Sequence, residues 1–531
     1  MATILQTRLL GEVRAETHDG VSQFLGIQYA TLKDRFADAE LIEQREGSIL
    51  DASKDGPTAL SPSFGCDFEL GHIQHILPKK ELPQSDLNCL NLNITVPAGT
   101  TATSKLPVFL FIHGGGLVLG ANSWPQFDYA RFVKLSVEKN LPIVAVSMNY
   151  RLGAFGFLTS NELRRAGYNA NNGLRDQKVA MRWVQKHIAD FGGDPDNVTL
   201  AGMSAGGACV TYHLDSDEQL FKRAIVMSGT CLLIQPLPYD LHEQNYQQAI
   251  AALGLANASS EERIRALLET PGDDLVAKIP PTFLAAPAID RAMVTSVVTY
   301  AQVADKGSDI PRGKKWCEDL MIGDAQMDAS IMAFLMSHTK KDCASKFITA
   351  IYTILSSKLD VAQQILDKYN ITRDMTDDEA FPAILNYVND IAFFAPVLTF
   401  AKGWKNNVYV YHFNEGNPWD GPWKDRASHI LDLAYLFQNF REFMGPDQQQ
   451  LAINFAEDFF KFCHGVKPWP SVAHNDVEAG FTARVYGPAP NVGQVNGPYN
   501  EGSLRRSVLF DHADQASLDE FAQVLALFRT L

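Results

Sequence analysis

VTLAGMSAGGA, from Val198 to Ala208, runs from β-branched and apolar residues into a serine with glycine two places away on each side. The apolar run predicts a buried strand, and the small residues after it predict a helix that starts near Ala205. A strand that turns sharply into a helix lifts Ser204 above the sheet edge and brings the helix's first amides beside its hydroxyl. Gly202 and Gly206 allow that turn to close. Chance alone gives roughly 0.1 to 0.2 such glycine–serine–glycine patterns in a chain this long. The strand–turn–helix context therefore carries more weight than the pattern itself.

Working outward, the same alternation recurs. LPVFLFI (Leu106 to Ile112) and LPIVAVSMNY (Leu141 to Tyr150) are nearly all apolar, as strands covered on both faces must be. In GLRDQKVAMRWVQKHIADF, Ala180, Val184, Ile188 and Phe191 recur at helical spacing, and Gly192, Gly193 and Pro195 end the helix. FKRAIVMSG, LMIGD and NVYVYHFN supply later strands. Strand, helix, strand in this order predicts parallel pairing and a mostly parallel, doubly wound α/β sheet. The largely helical stretch from about 232 to 400 reads as insertions over the sheet's carboxyl edge. SLDEFAQVLALF predicts a helix capped by Ser517 with Glu520 three residues on. No linker-like segment divides the chain, so residues 1–531 are read as one domain.

FIHGGGLVLG places His113, Gly114, Gly115 and Gly116 directly after a buried strand. Such a loop can turn backbone N–H groups inward, as stabilising an oxyanion requires. A serine hydroxyl is a weak nucleophile until a base takes its proton, so the two motifs together predict acyl chemistry.

The bulk numbers exclude other classes. The 531 residues carry a formal net charge of −15, which disfavours a phosphate backbone as partner. No run approaches the uninterrupted apolar length of a transmembrane helix. The first twenty residues include Arg8 and no long apolar core, so the expectation is a cytoplasmic protein, or a secreted one whose leader has been cut. Seven cysteines are too few for a disulfide framework, and Cys209, Cys231, Cys317, Cys343 and Cys463 read as buried small hydrophobes. Sequons at Asn93, Asn197, Asn257 and Asn370 leave the compartment undecided.

Taken with FLGIQYA from Phe24, DLNCLNLNITVP from Asp86, NYRLGAFGFL from Asn149, the block from Asn172 to Gly207 and SHILDLAYLF from Ser428, these motifs resemble the type B carboxylesterases of the α/β-hydrolase superfamily, a group that includes cholinesterases and fungal lipases. The resemblance covers nearly the whole chain. It implies the α/β-hydrolase fold and a Ser–acid–His triad in that chain order. Ser204 matches the nucleophile and His429 the base. The acid segment is GDAQMDAS, where Asp328 matches the acid position and Asp324 competes; aspartate stands where the family often has glutamate, and Ala329 where it usually has glycine. Gly115, Gly116 and Ala205 match the oxyanion-hole donors. Cys66 and Cys89 match the family's first disulfide, and Arg151 with Asp176 a structural ion pair. No metal or organic cofactor is implied, and the partner is a small-molecule ester.

Met203 stands where cholinesterases have glutamate before the serine, and the stretch between Cys66 and Cys89 has no tryptophan, so a choline-type cation site is not expected. The implied substrates are neutral, mainly apolar esters. Phe68, Leu70, Ile73, Ile76 and Leu77 recur at roughly helical spacing, as a lipase-like lid or as a packed loop rimming the gorge. Trp419 and Trp423 line the entrance or anchor the core. The competing readings are a specialised esterase or acyltransferase on one metabolite, a lipase, and a non-catalytic adhesion module.

Overall fold

The computed structural model describes residues 2–45, 47, 49–280, 282–472, 482–496, 505–511 and 515–531. Twelve strands give the sheet its backbone: β1 Ala2–Gln6, β2 Glu12–His18, β3 Val21–Gln28, β4 Asn91–Pro97, β5 Leu106–Ile112, β6 Val144–Met148, β7 Gly193–Met203, β8 Arg223–Met227, β9 Asp319–Ala325, β10 Asn407–Phe413, β11 Thr482–Tyr486 and β12 Val492–Asn496. Their spatial order is β1-β2-β3-β4-β6-β5-β7-β8-β9-β10-β11-β12, and the short strand Leu50–Asp51 pairs with β2. From β6 across to β11 every pairing is parallel. The flanks, β1 to β4 with β6 on one side and β11 with β12 on the other, are antiparallel.

The central strands are apolar throughout because both faces are covered. Along β5, Val108, Leu110 and Ile112 enter one hydrophobic cluster while Phe109 and Phe111 enter another on the opposite side. Strand β6 divides in the same way, with Val144, Val146 and Met148 on one face and Ala145 on the other. This is the doubly wound α/β-hydrolase architecture expected from the sequence.

The helices that matter for the site are α1 Gly65–Ile73, α2 Asn172–His187, α3 Ala205–His213, α4 Ser330–Leu335, α5 Asp377–Asn389, α6 Ala395–Gly403, α7 Pro446–Cys463 and α8 Leu518–Phe528. Helix α2 passes into a 3₁₀ turn over Ile188–Phe191, and Gly192 then takes φ 81°. A π-helical segment, Asp390–Phe394, joins α5 to α6 into one run of 27 residues. That run is long and apolar enough to cross a membrane, yet 89% of its most apolar stretch is buried inside the protein, as a core helix is. Helix α8 begins with the expected capping box: the Ser517 N–H donates to Glu520 at 2.8 Å and the Glu520 N–H to Ser517 Oγ at 3.2 Å.

Two expectations change in detail. Helix α1 stops at Ile73 because Gln74 takes a left-handed conformation, φ 68°, so Ile76 lies beyond the helix and is exposed while Leu70, Ile73 and Leu77 are buried. The disulfide between Cys66 and Cys89 is not formed; both are free thiols. They belong to different hydrophobic clusters, Cys66 beside Leu70 and Ile73 and Cys89 beside Leu90 and Leu92. Burial pushes each thiol up to about 12, which keeps it protonated. Cys209, Cys231, Cys317, Cys343 and Cys463 are buried and free, as read from the sequence.

Candidate active site

Four loops leave the carboxyl ends of β5, β7, β9 and β10, where an open α/β sheet offers its crevice. Ser204 follows β7 with φ 57° and ψ −123°, a strained conformation for a residue with a side chain. The Ser204 N–H donates to the Met227 carbonyl of β8 at 2.8 Å, which ties the turn to the sheet. The turn is closed by contact: a Cβ on Gly206 would lie 2.1 Å from the Ile112 carbonyl oxygen, and one on Gly202 2.4 Å from that of Gly206. Only hydrogen fits there, so both glycines of the motif have a steric reason.

The structure brings three of the sequence-matched side chains into line. Ser204 Oγ lies 2.9 Å from His429 Nε2, and His429 Nδ1 lies 2.7 Å from Asp328 Oδ1. The His429 and Asp328 side chains are buried, and Ser204 is half-buried. Asp324 does not join them. It leaves the end of β9 towards β10, where its Oδ1 lies 2.5 Å from Nδ1 of His412. Each aspartate is thus paired with its own histidine, Asp328 with His429 and Asp324 with His412. Of the histidines further along the chain, His464 reaches the Pro142 carbonyl, and His474 and His512 lie outside the described residues.

Asp328 is held by more than its histidine. The Ala325 N–H donates to its Oδ2 at 2.7 Å. Burial, and then the neighbouring Asp324 charge, hold its carboxyl well above the usual range. Burial pushes His429 down to about 3, so the ring rests neutral, with a free lone pair for the serine proton. The Phe393 ring of the π-helical segment packs edge-on against His429 at 5.5 Å.

The glycine loop after β5 faces Ser204. Gly115 and Gly116 take φ 94° and 62°. Among the described residues, their amides donate to no other backbone carbonyl. Ala205 is the first residue of α3, where helix N–H groups have no partner within the helix. The loop rests on His113, whose ring stacks on Tyr150 at 4.5 Å while the Tyr150 hydroxyl donates to the His113 carbonyl at 3.0 Å. Burial pushes His113 down to about 4, so it supports the loop as a neutral ring.

Sequence reasoning missed the clamp on the acid loop. Asn389, the last residue of α5, accepts from the Ala329 N–H at 3.0 Å and donates to the Gln326 carbonyl at 3.2 Å. Arg506 donates to the same carbonyl at 3.2 Å and to Asp390 at 2.9 Å. The available sign was an asparagine–aspartate pair, Asn389 and Asp390, inside the most apolar part of the 377–403 run. The Met327 N–H donates to the Ala427 carbonyl at 2.9 Å, which ties the acid loop to the loop carrying His429.

The stretch from Cys66 to Cys89 is a packed rim. The Gln126 amide donates to buried Glu69 at 2.9 Å, Asn417 donates to the Ile73 carbonyl at 3.0 Å, and Gln74 bonds the backbone of both Trp419 and Trp423. Trp419 also packs on His75 and Phe440, so the two tryptophans anchor α1. Arg151 and Asp176 form the expected buried pair, Nη2 to Oδ1 2.7 Å, away from the reacting groups. Among the described residues, no group of three or more histidine, cysteine, aspartate or glutamate side chains is placed to hold a metal.

Known proteins define the class. The family model for the carboxylesterase family matches residues 2–476. Lipase 1 of Yarrowia lipolytica is 37% identical over 485 residues, covering 88% of this chain and 88% of that protein. The para-nitrobenzyl esterase of Bacillus subtilis is 28% identical over 450 residues, 82% of each chain. A solved PNB esterase structure superposes with a TM-score of 0.74 at 24% identity, covering 96% of this chain and 99% of that one. With a serine elbow, a glycine loop and a histidine–carboxylate pair converging on one sheet edge, the chain belongs to the carboxylesterase family. It is a carboxylic ester hydrolase.

Proposed function

We propose that Ser204, His429 and Asp328 carry the hydrolysis through an acyl-enzyme. The observation that supports this reading is the continuous line from Ser204 Oγ through His429 to Asp328 Oδ1. His429 takes the serine proton as Oγ attacks the ester carbonyl, and Asp328 orients the ring and favours the imidazolium that forms. The amides of Gly115, Gly116 and Ala205 receive the tetrahedral oxyanion. His429 then gives its proton to the departing alcohol, and water repeats the attack on the acyl group.

The favoured substrates are neutral, mainly apolar esters. Met203, buried behind the serine, offers no charge to a cationic head group, and α1 faces the rim with Phe68, which packs on Phe334 at 4.9 Å. Hydrolysis of p-nitrophenyl esters from acetate to palmitate, wild type beside Ser204→Ala, tests this. Activity lost by several orders of magnitude in the variant supports the acyl-enzyme, and the chain-length optimum sizes the acyl pocket. A wild type inert on every ester overturns the broad reading and leaves a single specialised ester or a binding role. One relative, VdtD of Byssochlamys spectabilis, 24% identical over 546 residues, is described as an inactive carboxylesterase-like protein, so the active control matters.

A further inference from the structure

His72 is a side chain near the reacting groups that the scheme above does not use. It stands in the last turn of α1, and its Nε2 lies 3.1 Å from Ser330 Oγ. Ser330 opens α4, two residues after Asp328. Its Oγ accepts the His429 backbone N–H at 2.8 Å. One hydroxyl therefore joins the helix that rims the gorge to the backbone of the base. Ser330 has one proton to give and lone pairs to share, so it can satisfy the His429 amide and a neutral imidazole together.

The surroundings keep that imidazole neutral. Its ring stacks on Phe68 at 6.2 Å, and burial, then the neighbouring His429, push it down to about 3. No carboxylate is paired with it among the described residues; it meets Phe68 and Ser330 and feels the charge of His429. A cationic ring in this place would oppose the imidazolium that forms on His429 during the reaction, whereas a neutral one does not. The rest of α1 is pinned from both sides of the gorge, through Glu69 to Gln126 and through Ile73 and Gln74 to the 417–423 loop. The His72–Ser330 contact is thus the point where the seating of α1 reaches the base.

We propose that His72 is a positioning residue: through Ser330 it couples the docking of α1 to the placement of His429, so that proton transfer is efficient only while α1 is seated. The proposal rests on the Ser204–His429–Asp328 reading. It gives the Cys66–Cys89 segment a part in turnover that substrate contact alone would not.

The test uses the full chain with four single variants and one double variant. His72→Phe keeps an aromatic ring against Phe68 and removes the nitrogen, His72→Gln restores a polar atom, Ser330→Ala removes the link from the other side, and Ser204→Ala is the control. Readouts are kcat and KM on one p-nitrophenyl ester, the rate of covalent inactivation by a fluorophosphonate, and Tm. His72→Phe is expected to lower kcat and the inactivation rate about tenfold, with KM within about twofold of wild type. His72→Gln should recover most of that loss. The His72→Phe/Ser330→Ala double variant should be little worse than either single one, since both break the same link. Unchanged kcat in His72→Phe, full additivity with Ser330→Ala, or a loss confined to KM overturns the proposal. If His72→Phe does not fold, Ser330→Ala and His72→Gln decide by the same readouts. Activity surviving in Ser204→Ala would instead sink the triad reading, whatever His72 does.

Discussion

Asp324 and Asp328 leave the same strand end, yet only Asp328 reaches His429. The difference is geometric, and it predicts unequal losses. Asp328→Asn is expected to lower kcat by about 10⁴, as loss of the orienting carboxylate does in serine hydrolases. Asp324→Asn should cost at least about tenfold less, because it touches the base only through its field on Asp328. Steady-state kinetics of the two variants checks this, and equal losses would contradict it. The pH profile belongs to the same residues. His429 must be neutral to act, and burial lowers its pKa from 6.5. The acid limb of kcat/KM should therefore fall below the ordinary histidine range, with most activity retained at about pH 6. An acid limb centred at or above 6.5 would show that the ring is not desolvated as described. The pairing of Ser204 with His429 was legible in the sequence because flanking residues mark both. The acid was marked less sharply, since Asp324, near the end of β9, and Asp328, just beyond it, lie close in sequence and side-chain direction separates them.

Among the elements, strands covered on both faces announced themselves by unbroken apolar runs, and these are the strands that carry the site. The antiparallel flank did not: β2 alternates exposed and buried residues, with Glu12, Arg14 and Glu16 among them, and gave no comparable signal. The disulfide was over-read because the likeness of two cysteines to a family pattern says nothing of which hydrophobic cluster each enters. The capping box of α8 was legible because it is local. Ser517→Ala should cost about 1 kcal/mol, read as a lower urea midpoint with unchanged slope. Helix α1 gives a second prediction through Glu69. Burial raises this carboxyl from 4.5 to about 7. The folded state therefore holds a proton that the unfolded state has released. The stability it contributes is present below pH 4.5 and is lost as pH rises through about 7. Gln126 Oε1 is buried without a partner, and a protonated Glu69 or a glutamine there can donate to it. Glu69→Gln should match wild type near pH 4.5 and exceed it above pH 7, by on the order of 3 kcal/mol. Urea melts at both ends of that range decide, and a difference independent of pH would refute the assignment.

At the scale of the molecule, distant parts of the chain meet in buried ion pairs. Arg151 is 1% exposed; it binds Asp176 and also donates to the carbonyls of Arg35 and Ala37. Arg151→Ala strands Asp176 in the core and should cost about 3–5 kcal/mol, with little change in KM among molecules that remain folded. A cost under about 1 kcal/mol would mean that water reaches the pair. The resemblance made this pair legible, whereas the Arg505 and Arg506 contacts to Asp390 were not, because no local pattern links residues so far apart.

The proposed reacting groups stand on loops after β5, β7, β9 and β10, and the last of them, His429, comes late in the chain. During synthesis a long nascent polypeptide therefore carries Ser204 before it carries His429. The proposed triad predicts no ester hydrolysis from a chain that ends before His429. Hydrolysis switches on only when sequence-distant strands have paired, a step that is slow relative to local helix formation. Appearance of ester hydrolysis during refolding consequently times the closure of the parallel sheet, and proteolysis that severs the acid loop from the 428–437 segment should silence the enzyme even where both halves keep their secondary structure.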